Sequence, residues 1–134
     1  MIRSRGEAAQ AISNAVVRLV REYTGRGPTQ AHTTIGEHHV VVVLRETLLT
    51  GERSLVNDGH GDAVIDMRRR IQRTMREALI GVIVEHTGRE VLAFLSDHHV
   101  DPDIAVEIFV LKPRRWTDEQ DDGPTVDGDG ATGG

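Results

Sequence analysis

The sequence predicts a two-layer α+β fold made of two αββ units, αββ-αββ, sharing one antiparallel four-stranded sheet. Three observations carry this. Two long segments have the apolar spacing of amphipathic helices. Both end in the same pattern, Glu22-Tyr23-Thr24-Gly25-Arg26 and Glu85-His86-Thr87-Gly88-Arg89, at an offset of 63 residues. Each ending is followed by two strand-like runs. The expected domain is a single one over residues 6–116, with two main helices and a short connector helix. Residues 117–134 read as a disordered, acidic, Gly-rich tail.

The first helix is expected over Glu7–Thr24. Its stripe is Ala8, Ala11, Ile12, Ala15, Val16, Leu19, Val20 and Tyr23. Gly25 fits the position after a helix where a positive φ is favoured, and Gly27-Pro28 blocks continuation. A hairpin follows, with strands at Thr29–Ile35 and His39–Glu46 around a turn at Gly36-Glu37. The run Val40-Val41-Val42-Val43-Leu44 is β-branched and suits a strand. Thr47–Gly61 connects the units, with Thr50 as cap of a short helix through Val56 and Gly59 as its stop.

The second long helix is expected over Gly61–Arg89, with Asp62 as its N-cap. Its stripe is Val64, Met67, Ile71, Met75, Ala78, Leu79, Val82, Ile83 and His86. Arg68, Arg69, Arg70, Arg73 and Arg76 fall on the other sides and read as a solvated face. Strands three and four are expected at Glu90–Asp97 and Asp103–Leu111. The turn between them is His98-His99-Val100-Asp101-Pro102.

Gly25, Gly88, Tyr23 and His86 are structural expectations, the two glycines as helix stops and the two rings as helix-end residues. Three of the four strands are apolar on both faces. Two helices cover about one face of such a sheet. A second copy of the chain is the expected cover for the other, and one helix on each face of a monomer is the alternative.

Composition narrows the function. Hydrophobic residues make up 38% of the 134 residues and aromatics 3%, so aliphatic side chains must fill the core. There is no cysteine, hence no disulfide, thiolate metal site or cysteine nucleophile. No apolar run approaches the ~20 residues of a membrane span, so direct membrane insertion is not expected. The N-terminus lacks the apolar core of a signal peptide, and a cytoplasmic location is expected. The net charge is −5, but six acids lie in the tail, which leaves 16 basic against 15 acidic residues. That near-neutral body argues against nucleic acid as a partner.

No motif calls for a cofactor. Gly25-Arg26-Gly27 follows a helix, the wrong context for a phosphate loop. Ser13, Ser54 and Ser96 have no nucleophile elbow. No constellation argues for catalysis, and a non-enzyme is expected. The histidines His32, His38, His39, His60, His86, His98 and His99 include two doublets. His98 and His99, with Asp97 and Asp101, have metal-ligand chemistry. Neighbours on a strand point to opposite faces, however, so a doublet seldom serves one ion. No metal site is therefore assigned. Arg26, Arg68, Arg89, Asp97 and His98 are the partner-binding candidates.

Several segments together resemble one family. They are Glu22-Tyr23-Thr24-Gly25-Arg26-Gly27-Pro28, Val40 to Leu48, Gly51-Glu52-Arg53-Ser54-Leu55, Met67-Arg68-Arg69, and Leu92 to Asp103. The resemblance is to the MpsC-like family, formerly a domain of unknown function, and it covers about residues 6–112. The family is described as the soluble component of a Na+-translocating, membrane-potential-generating system. The resemblance implies a non-enzymatic accessory or regulatory protein of a membrane ion or inorganic-carbon translocating complex. Its partners would be further copies of itself and membrane transporter subunits. The alternatives are a small-ligand or metal sensor using the His-rich turns, and an uncharacterised enzyme.

Overall fold

The computed structural model describes residues 4–113. The expected tail, 117–134, lies outside the described residues. Seven elements follow in order: α1 (Arg5–Thr24), β1 (Gln30–Ile35), β2 (His39–Arg45), α2 (Thr50–Asn57), α3 (Gly61–Thr87), β3 (Val91–Val100) and β4 (Asp103–Leu111). The strands form one antiparallel sheet in the order β1-β2-β4-β3. This is the expected α+β arrangement of αββ units.

α1 starts two residues before the expected Glu7 because Ser4 caps it. Ser4 Oγ accepts the Glu7 N–H and Glu7 Oε1 accepts the Ser4 N–H, both at 3.0 Å. Both long helices end on a left-handed glycine, Gly25 at φ 88° and Gly88 at φ 68°. The two endings match in detail. Thr24 Oγ1 donates to the Val20 carbonyl and Thr87 Oγ1 to the Ile83 carbonyl. Arg26 then reaches the Leu48 carbonyl and Arg89 the Lys112 carbonyl, each at 3.0 Å. Each arginine ties the start of its hairpin to the chain just beyond its second strand.

Both helices pack on the same face of the sheet. Ile12, Val16 and Val20 of α1 join Met75, Leu79 and Ile83 of α3 over Val40, Val42, Leu44, Ala105, Phe109 and Leu111. The three α1 residues and the three α3 residues stand at the same offset of 63. The arrangement with one helix on each face is thereby excluded. Phe94 and Phe109 meet with ring centroids 5.1 Å apart, a tilted contact of the favoured kind. Burying each such large side chain contributes roughly 1.5–3 kcal/mol.

Alternation along the strands leaves the opposite face open. On β4, Asp103, Ala105, Glu107, Phe109 and Leu111 are buried, and the residues between them point away from the helices. Across the open face run the rows Gln30–Arg45–Ile104–His99, His32–Val43–Val106–Asp97 and Thr34–Val41–Ile108–Leu95, then His39–Val110–Ala93. Its centre is aliphatic and its rim polar. Leu95 is 54% exposed.

Some expectations need correction. α3 begins at Gly61, so Asp62 lies in its first turn and His60 holds the cap position. Likewise Thr50 is the first residue of α2 and Leu49 precedes it as cap. β3 continues through His98, His99 and Val100, so the second hairpin turns only at Asp101–Pro102, a cis peptide. The expected five-residue turn is mostly strand because His98 is drawn into the interior. Tyr23 is 44% exposed and lies at the rim of the core. His86 is half-buried beside Glu85.

The largest difference is in α3. Its buried face is Val64, Arg68, Gln72, Met75, Leu79 and Ile83, while Met67 is 57% exposed. The apolar stripe put Met67 inside and Arg68 outside. The first half of the helix is turned to bury an arginine and a glutamine, because partners for both lie beneath it.

Candidate functional site

A belt of buried polar residues runs under the N-terminal half of α3. Arg68 and Gln72 come from α3, one turn apart. Ser96 and His98 come from β3, Asp103 and Glu107 from β4. The segment between β2 and α2 supplies Thr47, and α2 supplies the part-buried Glu52, with the exposed Arg53 at the edge of the belt.

Arg68 is 4% exposed. Its Nε donates to Glu52 Oε2 at 2.9 Å, its Nη2 donates to Glu52 Oε1, and Nη2 also meets the Thr47 carbonyl at 2.8 Å. The fork-on-carboxylate geometry is the one guanidinium favours. Glu52 Oε1 also accepts the Leu49 N–H at 2.8 Å and so holds the start of α2.

Asp103 is the second node. Oδ2 accepts the Leu48 N–H at 2.8 Å and has the Arg53 guanidinium at 3.6 Å. Oδ1 meets His98 Nε2 at 2.9 Å and the Thr47 hydroxyl at 3.2 Å. Burial pushes the Asp103 carboxyl up, but the Leu48 N–H and His98 outweigh it and hold it below its usual range. Burial drives the His98 pKa down, against the pull of Asp103. Both directions fit one state: a neutral imidazole donating its Nε2–H to an ionised Asp103. The tautomer is assigned from these partners. Thr47, His98 and Asp103 do not form a nucleophile triad, because the hydroxyl and the carboxylate meet the same ring nitrogen.

Glu107 is the third node and is 2% exposed. Gln72 Nε2 donates to its Oε1 at 3.3 Å. Ser96 is its register partner across the β3–β4 pair. The Ser96 hydroxyl lies near enough to draw the carboxyl pKa down, yet neither Ser96 Oγ nor Glu107 Oε2 completes a hydrogen bond of ordinary geometry. Burial dominates and pushes the Glu107 pKa up to about 7. A group so poised changes charge near neutrality.

The sequence-derived candidates disperse around this belt. His98 is buried and turned inward, while Asp97, His99 and Asp101 are exposed. The His98 N–H holds the Asp97 carboxyl below its usual range, and His99 Nδ1 lies 2.8 Å from the Pro102 carbonyl. Among the described residues, no group of three or more His, Asp or Glu side chains gathers in a way that could hold a metal ion. Arg26 and Arg89 are engaged with backbone carbonyls, and Arg68 with Glu52. Burial leaves Arg68 and His98 no surface to offer a partner.

Sequence reasoning missed Glu52, Gln72, Asp103 and Glu107 as members of one site. A signal for two of them was present. The offset of 63 places Asp103 opposite Val40 and Glu107 opposite Leu44, so two acids stand where the first unit has core residues. The alternation Asp103, Ala105, Glu107, Phe109 also puts both acids on the inward face of β4.

The described residues form an α+β fold with a buried ionisable belt, and no helix among them is long and apolar enough to cross a membrane. The family model for the Na+-translocating membrane potential-generating system (MpsC) matches residues 4–113, and the chain belongs to that family. No curated protein and no solved structure matches it.

Proposed function

We propose that the chain is a non-enzymatic accessory subunit of a membrane ion-translocating system, acting as a cytoplasmic homodimer. The family description supports the link to a membrane system. Absence of a spanning helix among the described residues leaves translocation to other subunits.

The observation that carries the dimer is the open face of the sheet. Val41, Val43, Ala93, Leu95, Ile104, Val106, Ile108 and Val110 point away from the helices. The nine-residue β4 is ~30 Å long and four strands span ~19 Å, a projected area of ~570 Å². Side-chain relief raises the accessible area above that projection, toward the ~800 Å² per partner of a standard interface. A second copy supplies an apolar centre and polar rim of matching size.

Sedimentation velocity of the full chain at micromolar concentration tests this. A dimer is expected, with Ile108→Asp shifting it to a folded monomer. A wild-type monomer overturns the dimer. Capture from cells that recovers only soluble metabolic enzymes, and no membrane subunit, counts against the accessory role.

A further inference from the structure

A groove of about 370 Å³ lies between α3 and the edge strand β3, outside the open sheet face. Arg69, Gln72, Arg73, Arg76, Phe94 and Ser96 line it. The three arginines stand at i, i+4 and i+7, hence on one side of the helix. Like charges so spaced repel one another, and no acid lines the groove between them. Arg69 leans to Asp97 at 3.4 Å and Arg76 to Glu77 at 3.1 Å. Arg73 makes no hydrogen bond or ion pair with any described residue. On the floor, the buried Ser96 hydroxyl has no completed hydrogen bond, and Glu107 lies behind it with a free carboxyl oxygen.

We propose that this groove binds the phosphoryl group of a small ligand, gripped by Arg73 with Arg69 and Arg76 over a floor formed by Phe94 and Ser96. The guanidinium fork matches the oxygens of a tetrahedral dianion. The groove falls in the size range of small-molecule sites, so it takes the phosphoryl group with a modest organic remainder against Phe94.

Glu107 sets the condition for binding. When protonated, its Oε2–H donates to Ser96 Oγ and no charge stands behind the ligand. When ionised, Glu107 accepts from Ser96 and places a negative charge behind the ligand. Binding therefore takes up a proton at Glu107. Gln72 of α3, Ser96 of β3 and Val42 of β2 are its neighbours. The charged and titratable groups on those elements include Arg68, Arg69, Arg73 and Arg76 on α3, Asp97 and His98 on β3, and His39 and Arg45 on β2. Asp103 shares its strand, and the inward face of α1 is apolar there. The arginines stay charged across neutral pH, and His98 is separated from Glu107 by the variant below.

Calorimetric titration of the full chain with sulfate is the test, because sulfate keeps its charge between pH 6 and pH 8. Saturable 1:1 binding is expected, tighter at pH 6 than at pH 8. The exposed variant Arg73→Ala weakens it about tenfold or more, the loss of one charge-assisted contact. Glu107→Gln, which donates permanently to Ser96, removes the pH dependence and keeps the binding. Two further arms identify the source, namely inorganic phosphate and vesicles of phosphatidylcholine with or without phosphatidic acid. Binding of inorganic phosphate assigns a free phosphoryl compound; binding only to vesicles containing phosphatidic acid, lost in Arg73→Ala, assigns a lipid headgroup. No saturable binding in any arm, or binding indifferent to Arg73→Ala, overturns the site.

Discussion

Replacing Glu107 by Gln changes one atom's chemistry at the centre of the buried belt, and its effect on stability should reverse the usual expectation for a buried charge. Glu107 is raised from 4.5 to about 7 by burial. Below pH 4.5 the folded and unfolded chains both hold the proton, and burial of the neutral acid carries no charge penalty. As pH rises through 4.5 the unfolded chain releases its proton while the folded chain keeps it until about 7. The unfolded state then binds fewer protons, so stability falls with pH across that window and levels off above it. The displacement corresponds to a loss on the order of 3 kcal/mol. Gln is isosteric, keeps the contact with Gln72 and does not titrate. Urea unfolding of both proteins at pH 4.5 and pH 8 gives the two differences. The variant should gain on wild type by up to ~3 kcal/mol between those pH values. His98 titrates with the opposite sign, since its lowered pKa makes stability fall as pH drops below 6.5. That contribution is common to both proteins and cancels in the comparison. A difference that stays flat from pH 4.5 to pH 8 would show that Glu107 is not held protonated by the fold.

Three other perturbations probe the frame around it. Arg68→Ala strands Glu52 and the Thr47 carbonyl in the interior and should cost about 3–5 kcal/mol in urea unfolding, whereas the double variant Arg68→Met with Glu52→Met should cost far less. Gly25→Ala and Gly88→Ala meet no atom within 4 Å, so each loses only the left-handed preference, about 1 kcal/mol, measurable as a lowered Tm. Asp103→Asn should cost about 2 kcal/mol at pH 7, and the cost should shrink below pH 3.8, because a carboxylate held below its usual range stabilises only above that pH.

The frame of the fold was legible because it rests on local rules. Gly25 and Gly88 mark where each helix must stop, and the run Val40 to Leu44 marks a strand regardless of its surroundings. The belt was not legible, because its members are far apart in the chain and pair across elements. Arg68 looks like a surface residue until Glu52 is brought to it, and Gln72 until Glu107 is. Periodicity weighs each residue by its own hydropathy, so it turned the first half of α3 toward Met67. His98 and His99 misled in another way. Polar residues beside Asp-Pro suggest a turn, and only the Asp103 contact explains why the strand runs on through them.

The pairing of Val43 with Val106 bears on how the open face meets another surface. The 63-residue step carries that pair onto itself, carries Leu44–Ala105 onto Val42–Glu107, and carries Val41–Ile108 onto Arg45–Ile104. A half-turn about the Val43–Val106 pair therefore exchanges the two central strands. Anything reading only those strands meets much the same surface in two opposed orientations, told apart chiefly by Arg45 against Ile108. The outer strands break the tie. The same half-turn sets His32 against Asp97, Gln30 against Leu95 and Thr34 against His99. Adhesion resides in the middle of the sheet, and heading is recorded at its edges.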